Sequence, residues 1–310
     1  MNAKCTVNTF IILIMALVGC STGEAGWTTV ALPDAGEHTA VAVDFRDGER
    51  GMLVTSFRGS SRIYVTRDEG ASWALVHEVD FGVHDIVMTE DEKAIAVGNR
   101  GILRTADFGA SWRVWNADFQ EPLKAVDFNG EESGMAVGRN GMILYTEDGG
   151  ESWSRQESGS ASFLTDVMFR GDGVAYAVGS GGTVLYTDDF GEHWTVKSTV
   201  VNEDLKAVHF LDGDSGLAIG SNGLILRTSD GGSTWKRTAG NTSNSLLGMH
   251  FLGQTGLLVG FDGTVLQTDD GGTSWKQVPI GTNRGLYDVH ITSGESAVLV
   301  GDQATVMIRK

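Results

Sequence analysis

The chain of 310 residues holds 40 Asp and Glu against 23 Lys and Arg, a formal net charge of −17, with 43 Gly, 3 Pro and 2 Cys. Such an excess of negative charge argues against nucleic acid or an anionic bilayer surface as the primary ligand. Both cysteines, Cys5 and Cys20, lie in the first twenty residues, so no disulfide is available to the domain that follows.

The first element in chain order is a targeting segment. "MNAKCTVNTFIILIMALVGC" carries Lys4 near its start, an apolar run from Phe10 to Val18 and the ending Leu17-Val18-Gly19-Cys20. This reads as a signal peptide with a lipobox, and the run is too short to span a bilayer as an ordinary helix. Residues 1–19 are predicted to be removed, Cys20 to be lipidated, and 20–26 to form a short linker. An exported protein anchored on the periplasmic side follows, and in a Gram-negative host Ser21 after the Cys favours the outer membrane.

Next comes "WTTVAL", Trp27 to Leu32, and then from about residue 40 to 280 one sentence is repeated six times. Its signature is an octet, Thr-x-Asp-x-Gly-x-x-Trp: "TRDEGASW", "TADFGASW", "TEDGGESW", "TDDFGEHW", "TSDGGSTW" and "TDDGGTSW". The octet aspartates are Asp68, Asp107, Asp148, Asp189, Asp230 and Asp270. The closing tryptophans Trp73, Trp112, Trp153, Trp194, Trp235 and Trp275 are spaced by 39, 41, 41, 41 and 40 residues, the period of a four-stranded propeller blade. Each unit, as in "LKAVDFNGEESGMAVGRNGMILYTEDGGESWSRQ", holds four short apolar runs separated by Gly, Asn, Asp and Ser, with no room for a helix of ordinary length. Strands two and three are joined within "VG-x-x-G", where Asn-Gly supplies positive φ for a tight hairpin. The octet is then the turn between strands three and four. Its Asp caps backbone N–H groups, its Gly takes a conformation closed to other residues, and its Trp packs between sheets.

The last element, "LYDVHITSGESAVLVGDQATVMIRK", stops after a third strand with neither octet nor Trp. "WTTVAL" resembles the pieces that follow an octet, "WALVHE" and "WKQVPI". The expected fold is therefore all-β, one seven-bladed propeller over residues 27–310 whose last blade is completed by the N-terminal strand. Closure removes the exposed edge that an open array would carry.

Two constellations are candidate ion sites. "DGDSG", Asp212 to Gly216, opens like a calcium loop, but Gly223 stands where the bidentate Glu belongs, so a turn is expected. The inner-strand column Asp44, Val87, Asp127, Met168, His209, His250 and His290 places three imidazoles at one level near the axis. His209, His250 and His290 are thus weak candidates for a divalent metal, with side chains packed between blades or facing a polar channel as the competing expectation. No cofactor is expected.

The octet together with "AVxFxxxxxGxAVGxxGxILxTxDGGxSW" resembles Asp-box, or BNR, repeats and in particular the photosystem II stability and assembly factor family. The resemblance covers nearly the whole mature chain. It implies a non-enzymatic, monomeric scaffold that binds a membrane protein or subunits of a membrane complex, and does not bind nucleic acid. Relatives dock through an arginine-rich patch, matched here sparsely by Arg100 and Arg139 with Arg58 and Arg62. The alternative within Asp-box proteins is a sialidase-like glycosidase or a glycan binder, which needs an Arg triad and a Tyr nucleophile at the propeller mouth; only Tyr287 begins an inner strand. Antiparallel strands place octets on one face and the "VG-x-x-G" hairpins with the connections on the other. The second face diverges between blades, which makes Arg58, Arg100, Arg139 and Phe261 in hairpins, and Trp115, Phe119 and Arg284 in connections, the candidate partner-binding residues.

Overall fold

The computed structural model describes residues 26–115, 121–197, 199 and 201–310. The signal segment, Cys20 and Phe119 lie outside the described residues.

Each repeat folds as expected, into a four-stranded antiparallel meander. Blade 1 is Thr39–Phe45, Gly51–Phe57, Ser60–Thr66 and Ala74–Val79. The inner strands of blades 2 to 6 are Val83–Met88, Leu123–Asn129, Leu164–Gly171, Leu205–Phe210 and Leu246–Leu252. Blade 7 combines Leu286–Ser293, Ser296–Gly301 and Thr305–Arg309 with Thr28–Val30 from the N-terminus. Among the described residues no helix is long and apolar enough to cross a membrane.

The second strand of each blade is buried along nearly its whole length, as in Ala94–Gly98. Both of its faces touch a neighbouring sheet, which is why it is written as a continuous apolar run instead of an alternation. The core accordingly divides into seven clusters, one per junction between blades. Ile95, Val97, Leu123, Val126, Ala136, Leu144 and Trp153 fill the junction of blades 2 and 3. Leu257, Val259, Ile280, Leu286 and Leu299 fill that of blades 6 and 7.

Ring closure uses the predicted strand. Thr28, Thr29 and Val30 pair antiparallel with Ile308, Met307 and Val306. Trp27 takes the place that an octet tryptophan holds elsewhere; it is fully buried in the junction of blades 6 and 7, with the Arg309 guanidinium 5.1 Å from its ring.

The octet is a closed hydrogen-bond unit. In blade 5, Thr228 Oγ1 donates to Asp230 Oδ1 (2.8 Å) and accepts from the Gly232 amide (3.0 Å). Asp230 Oδ1 also accepts from the Thr234 amide (2.8 Å), and its Oδ2 from the Thr234 hydroxyl (2.6 Å). The same bonds recur around Asp68, Asp107, Asp148 and Asp270, with Ser72, Ser111, Ser152 and Ser274 as donors. His193 substitutes in blade 4, its Nδ1 lying 2.7 Å from Asp189 Oδ2. The hydroxyl and amide of Thr234 hold Asp230 down at about 2, and Asp270 is held there likewise by Ser274.

The octets also lock to the first hairpin of their own blade. The Gly149 amide donates to Glu132 O and the Phe108 amide to Glu92 O, both at 2.8 Å. The "DGDSG" segment is a turn of this kind, with Asp212 Oδ1 accepting from the Asp214 and Ser215 amides. On the other face the "VG-x-x-G" hairpins bond to the blade connections, as Gly141 N does to Ser162 O at 2.8 Å. Asn140 and Gly141 adopt φ of 54° and 66°, the conformation that Asn-Gly was expected to supply. The two faces are therefore divided as the repeat implies.

Candidate functional site at the channel mouth

At the start of every inner strand the register against the second strand slips by one residue, and all seven blades share this bulge. The residues left out of register are Val41, His84, Lys124, Thr165, Lys206, Leu247 and Tyr287. A bulge re-aims the side chain it carries, and here all seven line one cavity of about 600 Å³. The hairpin residues Ser221 and Phe261 and the connection residues Phe163 and Ser245 complete its wall, so the cavity opens on the hairpin face. The repeated "VG" has its cause in the same feature. A Cβ on Gly138 would come within 2.2 Å of the Pro122 carbonyl, and the same close approach recurs in blades 2 to 7, whereas blade 1 passes its bulge with Thr55 at this place.

One step deeper the inner strands carry carboxylates that join blade to blade. Asp85 Oδ2 accepts from the Val126 amide (3.0 Å), Asp166 Oδ2 from Val208 (2.8 Å) and Asp288 Oδ2 from Val43 (2.9 Å). Further along the channel Asp44 Oδ2 reaches the Met88 amide and Asp127 Oδ2 the Phe169 amide, each at 2.7 Å. Burial, with repulsion from the neighbouring channel carboxylates and partial relief from these amides, pushes Asp85 to about 6, Asp127 to about 7 and Asp288 to about 8, and raises Asp166 well above its usual range.

A group whose pKa is higher folded than unfolded binds more protons when folded, so its contribution to stability is present below the unfolded pKa and lost as pH rises through the folded one. Burial lowers His209 to about 4 and His250 well below its usual value, which acts the opposite way but only as pH falls below about 6.5. The melting temperature is therefore expected to rise as pH is lowered from about 9 to about 6.5. Asp288→Asn should flatten the part of that slope near pH 8. A melting temperature that is constant over this range would contradict the assignment.

The histidine column does not converge on a common point. His209 stacks on Phe251 with ring centroids 5.1 Å apart, and His250 stacks on His290 at 4.1 Å. His250 Nδ1 accepts from the Ile291 amide (3.2 Å), and His290 Nδ1 lies 3.0 Å from Asp44 Oδ1. These rings pack between blades and join them. Among the described residues, the one set of three His, Asp or Glu donors lying within 4.8 Å of one another is Asp189, Glu192 and His193, in the exposed octet of blade 4.

The candidate partner-binding residues surround the mouth without lining it, apart from Phe261. Arg58, Arg100, Arg139 and Arg284 are exposed on the hairpin face. Arg58 lies 4.9 Å from the centroid of the Phe57 ring, and Arg139 5.8 Å from that of Phe163. Arg100 is 3.5 Å from Asp80 with 64% of its side chain exposed. Arg284 donates to Thr305 Oγ1 at 2.9 Å. Phe261 stands edge-on to Tyr287 at 6.2 Å. Trp115 departs from expectation: it ends the outer strand Arg113–Trp115, paired with Ile102, and packs into the junction of blades 2 and 3 instead of standing in a connection. The outer strand persists through this ring because the junction offers it apolar contact. Among the described residues no arginine lines the mouth, which does not match the Arg triad of a sialidase-like site.

The bulge residues other than Tyr287 escaped sequence reasoning. Their signal was one variable position after a nearly constant Leu, as in "LKAV", "LTDV", "LLGM" and "LYDV".

Three segments, residues 75–161, 156–228 and 200–308, match the family model described as photosynthesis system II assembly factor YCF48. No curated protein matches the chain. Among solved structures, YCF48 bound to a D1 peptide is similar with a TM-score of 0.75 and 21% identity over 92% of this chain and 96% of that one. YCF48 from Cyanidioschyzon merolae gives a TM-score of 0.75 and 20% identity over 92% and 99%. The WD40 propeller domain of Doa1 gives 0.76 and 14% over 92% and 97%, so structural likeness at this level reports the fold alone.

Proposed function

The chain belongs to the photosynthesis system II assembly factor YCF48 family, and we propose that it is a non-enzymatic, monomeric scaffold that assists assembly or stability of a membrane complex by binding one of its protein subunits. The observation that carries this reading is the asymmetry of the disc. One face repeats the same acidic octet six times, whereas the other gathers seven divergent bulge residues around a cavity and surrounds them with exposed arginines and aromatics. Arginines and aromatics are the residues that dominate protein interfaces, and a family relative has been solved with a D1 peptide bound. Lipid on Cys20 would hold the scaffold on the periplasmic side, in a Gram-negative host at the outer membrane, within reach of such subunits.

Crosslinking in the native membrane followed by mass spectrometry tests both parts. Arg100→Glu with Arg139→Glu is expected to reduce capture of a membrane-protein subunit at least about tenfold, as for loss of interface hot spots. Glu147→Gln, Glu151→Gln and Asp188→Asn on the octet face should leave capture unchanged. The reverse pattern would place the partner on the wrong side of the disc. Cys20→Ser should move the protein to the soluble fraction; persistent membrane attachment would mean that something other than lipid holds it.

A further inference from the structure

The ring of bulge residues is not uniform. Blades 2 to 5 present His84, Lys124, Thr165 and Lys206, and blades 6, 7 and 1 present Leu247, Tyr287 and Val41. One half of the mouth is polar and cationic, and the other half is apolar. Phe261 extends the apolar half outward, edge-on to Tyr287, and Met249 extends it inward. A repeat protein would carry like residues at like positions if they only filled space, so the division lies in residues that the fold itself leaves free to vary.

The polar half offers donors. Lys124 makes no ion pair among the described residues, and Lys206 reaches Asp204 at 3.3 Å while keeping 28% of its side chain exposed. Thr165 Oγ1 is already committed, donating to Leu205 O at 2.7 Å, and His84 Nδ1 is engaged with Leu123 O at the same distance. The two ammonium groups are thus the cationic groups of this arc, set above the carboxylates of Asp85 and Asp166. The carboxylates beneath them, Asp85, Asp166 and Asp288, each spend an oxygen on an amide of the next blade, and burial raises the pKa of all three, which weakens their hold on the lysines.

We propose that the channel mouth binds a peptide segment in which an apolar side chain stands next to a carboxylate, the apolar group lying against Leu247, Tyr287 and Phe261 and the carboxylate held by Lys124 and Lys206. A cavity of about 600 Å³ that sets an apolar wall beside charged groups falls within the size of sites that enclose small ligands. This rests on the scaffold reading and names the chemistry of the contact at its centre.

The test uses the mature chain and fluorescein-labelled Gly-Ser-Gly-Phe-Asp, with binding followed by fluorescence anisotropy. Saturable binding is expected, and it should weaken at least about tenfold when the peptide ends in Phe-Asn amide or in Gly-Asp, since each loses one of the two contacts. Lys124→Gln with Lys206→Gln should weaken it equally without altering the melting temperature, and Lys→Arg at both positions should restore it. Absence of saturable binding, equal affinity for all three peptides, or indifference to the Lys→Gln pair would each overturn the proposal. Native-membrane capture separates the two readings: a wild-type chain that captures a subunit yet fails with the peptide refutes the mouth site alone, whereas a wild-type chain that captures nothing refutes the scaffold.

Discussion

Deletion of Trp27 to Leu32 should open the ring and produce a self-associating species. The segment supplies the whole outer strand of blade 7, including the pairing of Thr28, Thr29 and Val30 with Ile308, Met307 and Val306. Without it the last ordered strand presents unpaired backbone groups and the apolar side chains of Val306, Met307 and Ile308 to solvent, an edge suited to pairing with a second chain. The junction of blades 6 and 7 also loses Trp27, a fully buried indole in the same apolar cluster as Leu257, Val259 and Leu299. Burial of one such side chain contributes about 4–6 kcal/mol at about 25 cal/mol per Å², a large part of the net stability of an ordinary domain. Light scattering after size exclusion should find oligomers, and the melting temperature should fall by several degrees or more. A monomer with unchanged melting would show that closure does not depend on this strand.

Trp153→Ala is the second large effect, at about 3–5 kcal/mol. The indole is buried between blades 2 and 3 and meets Phe128 edge-on, with centroids 5.9 Å apart and planes at 88°. Its removal leaves a cavity that the neighbouring sheets cannot fill, because each is fixed by its own hairpins and octet. Urea unfolding should show a lower midpoint with the same slope, as expected when the native state alone is destabilised. Val196→Ala, at an outer-strand position 67% exposed, should change stability by less than about 0.5 kcal/mol. Equal effects of the two substitutions would deny the tryptophans their anchoring role.

The repeat itself determined the number of blades, the strands within each, the division of faces and the closing partner of blade 7. It did so because each of these depends on local chemistry written many times. Asn140-Gly141 sets a hairpin whatever surrounds it, Asp230 caps amides of its own turn, and a chain with six octets and an incomplete seventh unit has one place for "WTTVAL". The role of the octet hydroxyl donors such as Ser72 and Thr234 was equally local, yet lay at a position where Ser, Thr and His alternate, and became clear only from their bonds to the aspartate.

The channel was decided by tertiary structure alone. Lys124, Lys206 and Leu247 are separated by 82 and 41 residues in the sequence, and nothing local states that they share one mouth or that a bulge turns them into it. The same holds for the acids and histidines behind them. In the sequence Asp127 and His290 stand in one column, but Asp127 reaches across to the amide of Phe169 and His290 pairs with Asp44, partners set by the packing of one blade against the next. A repeat fixes what each blade does for itself; which variable residues meet at the axis, and with what charge, depends on closing seven of them into a ring.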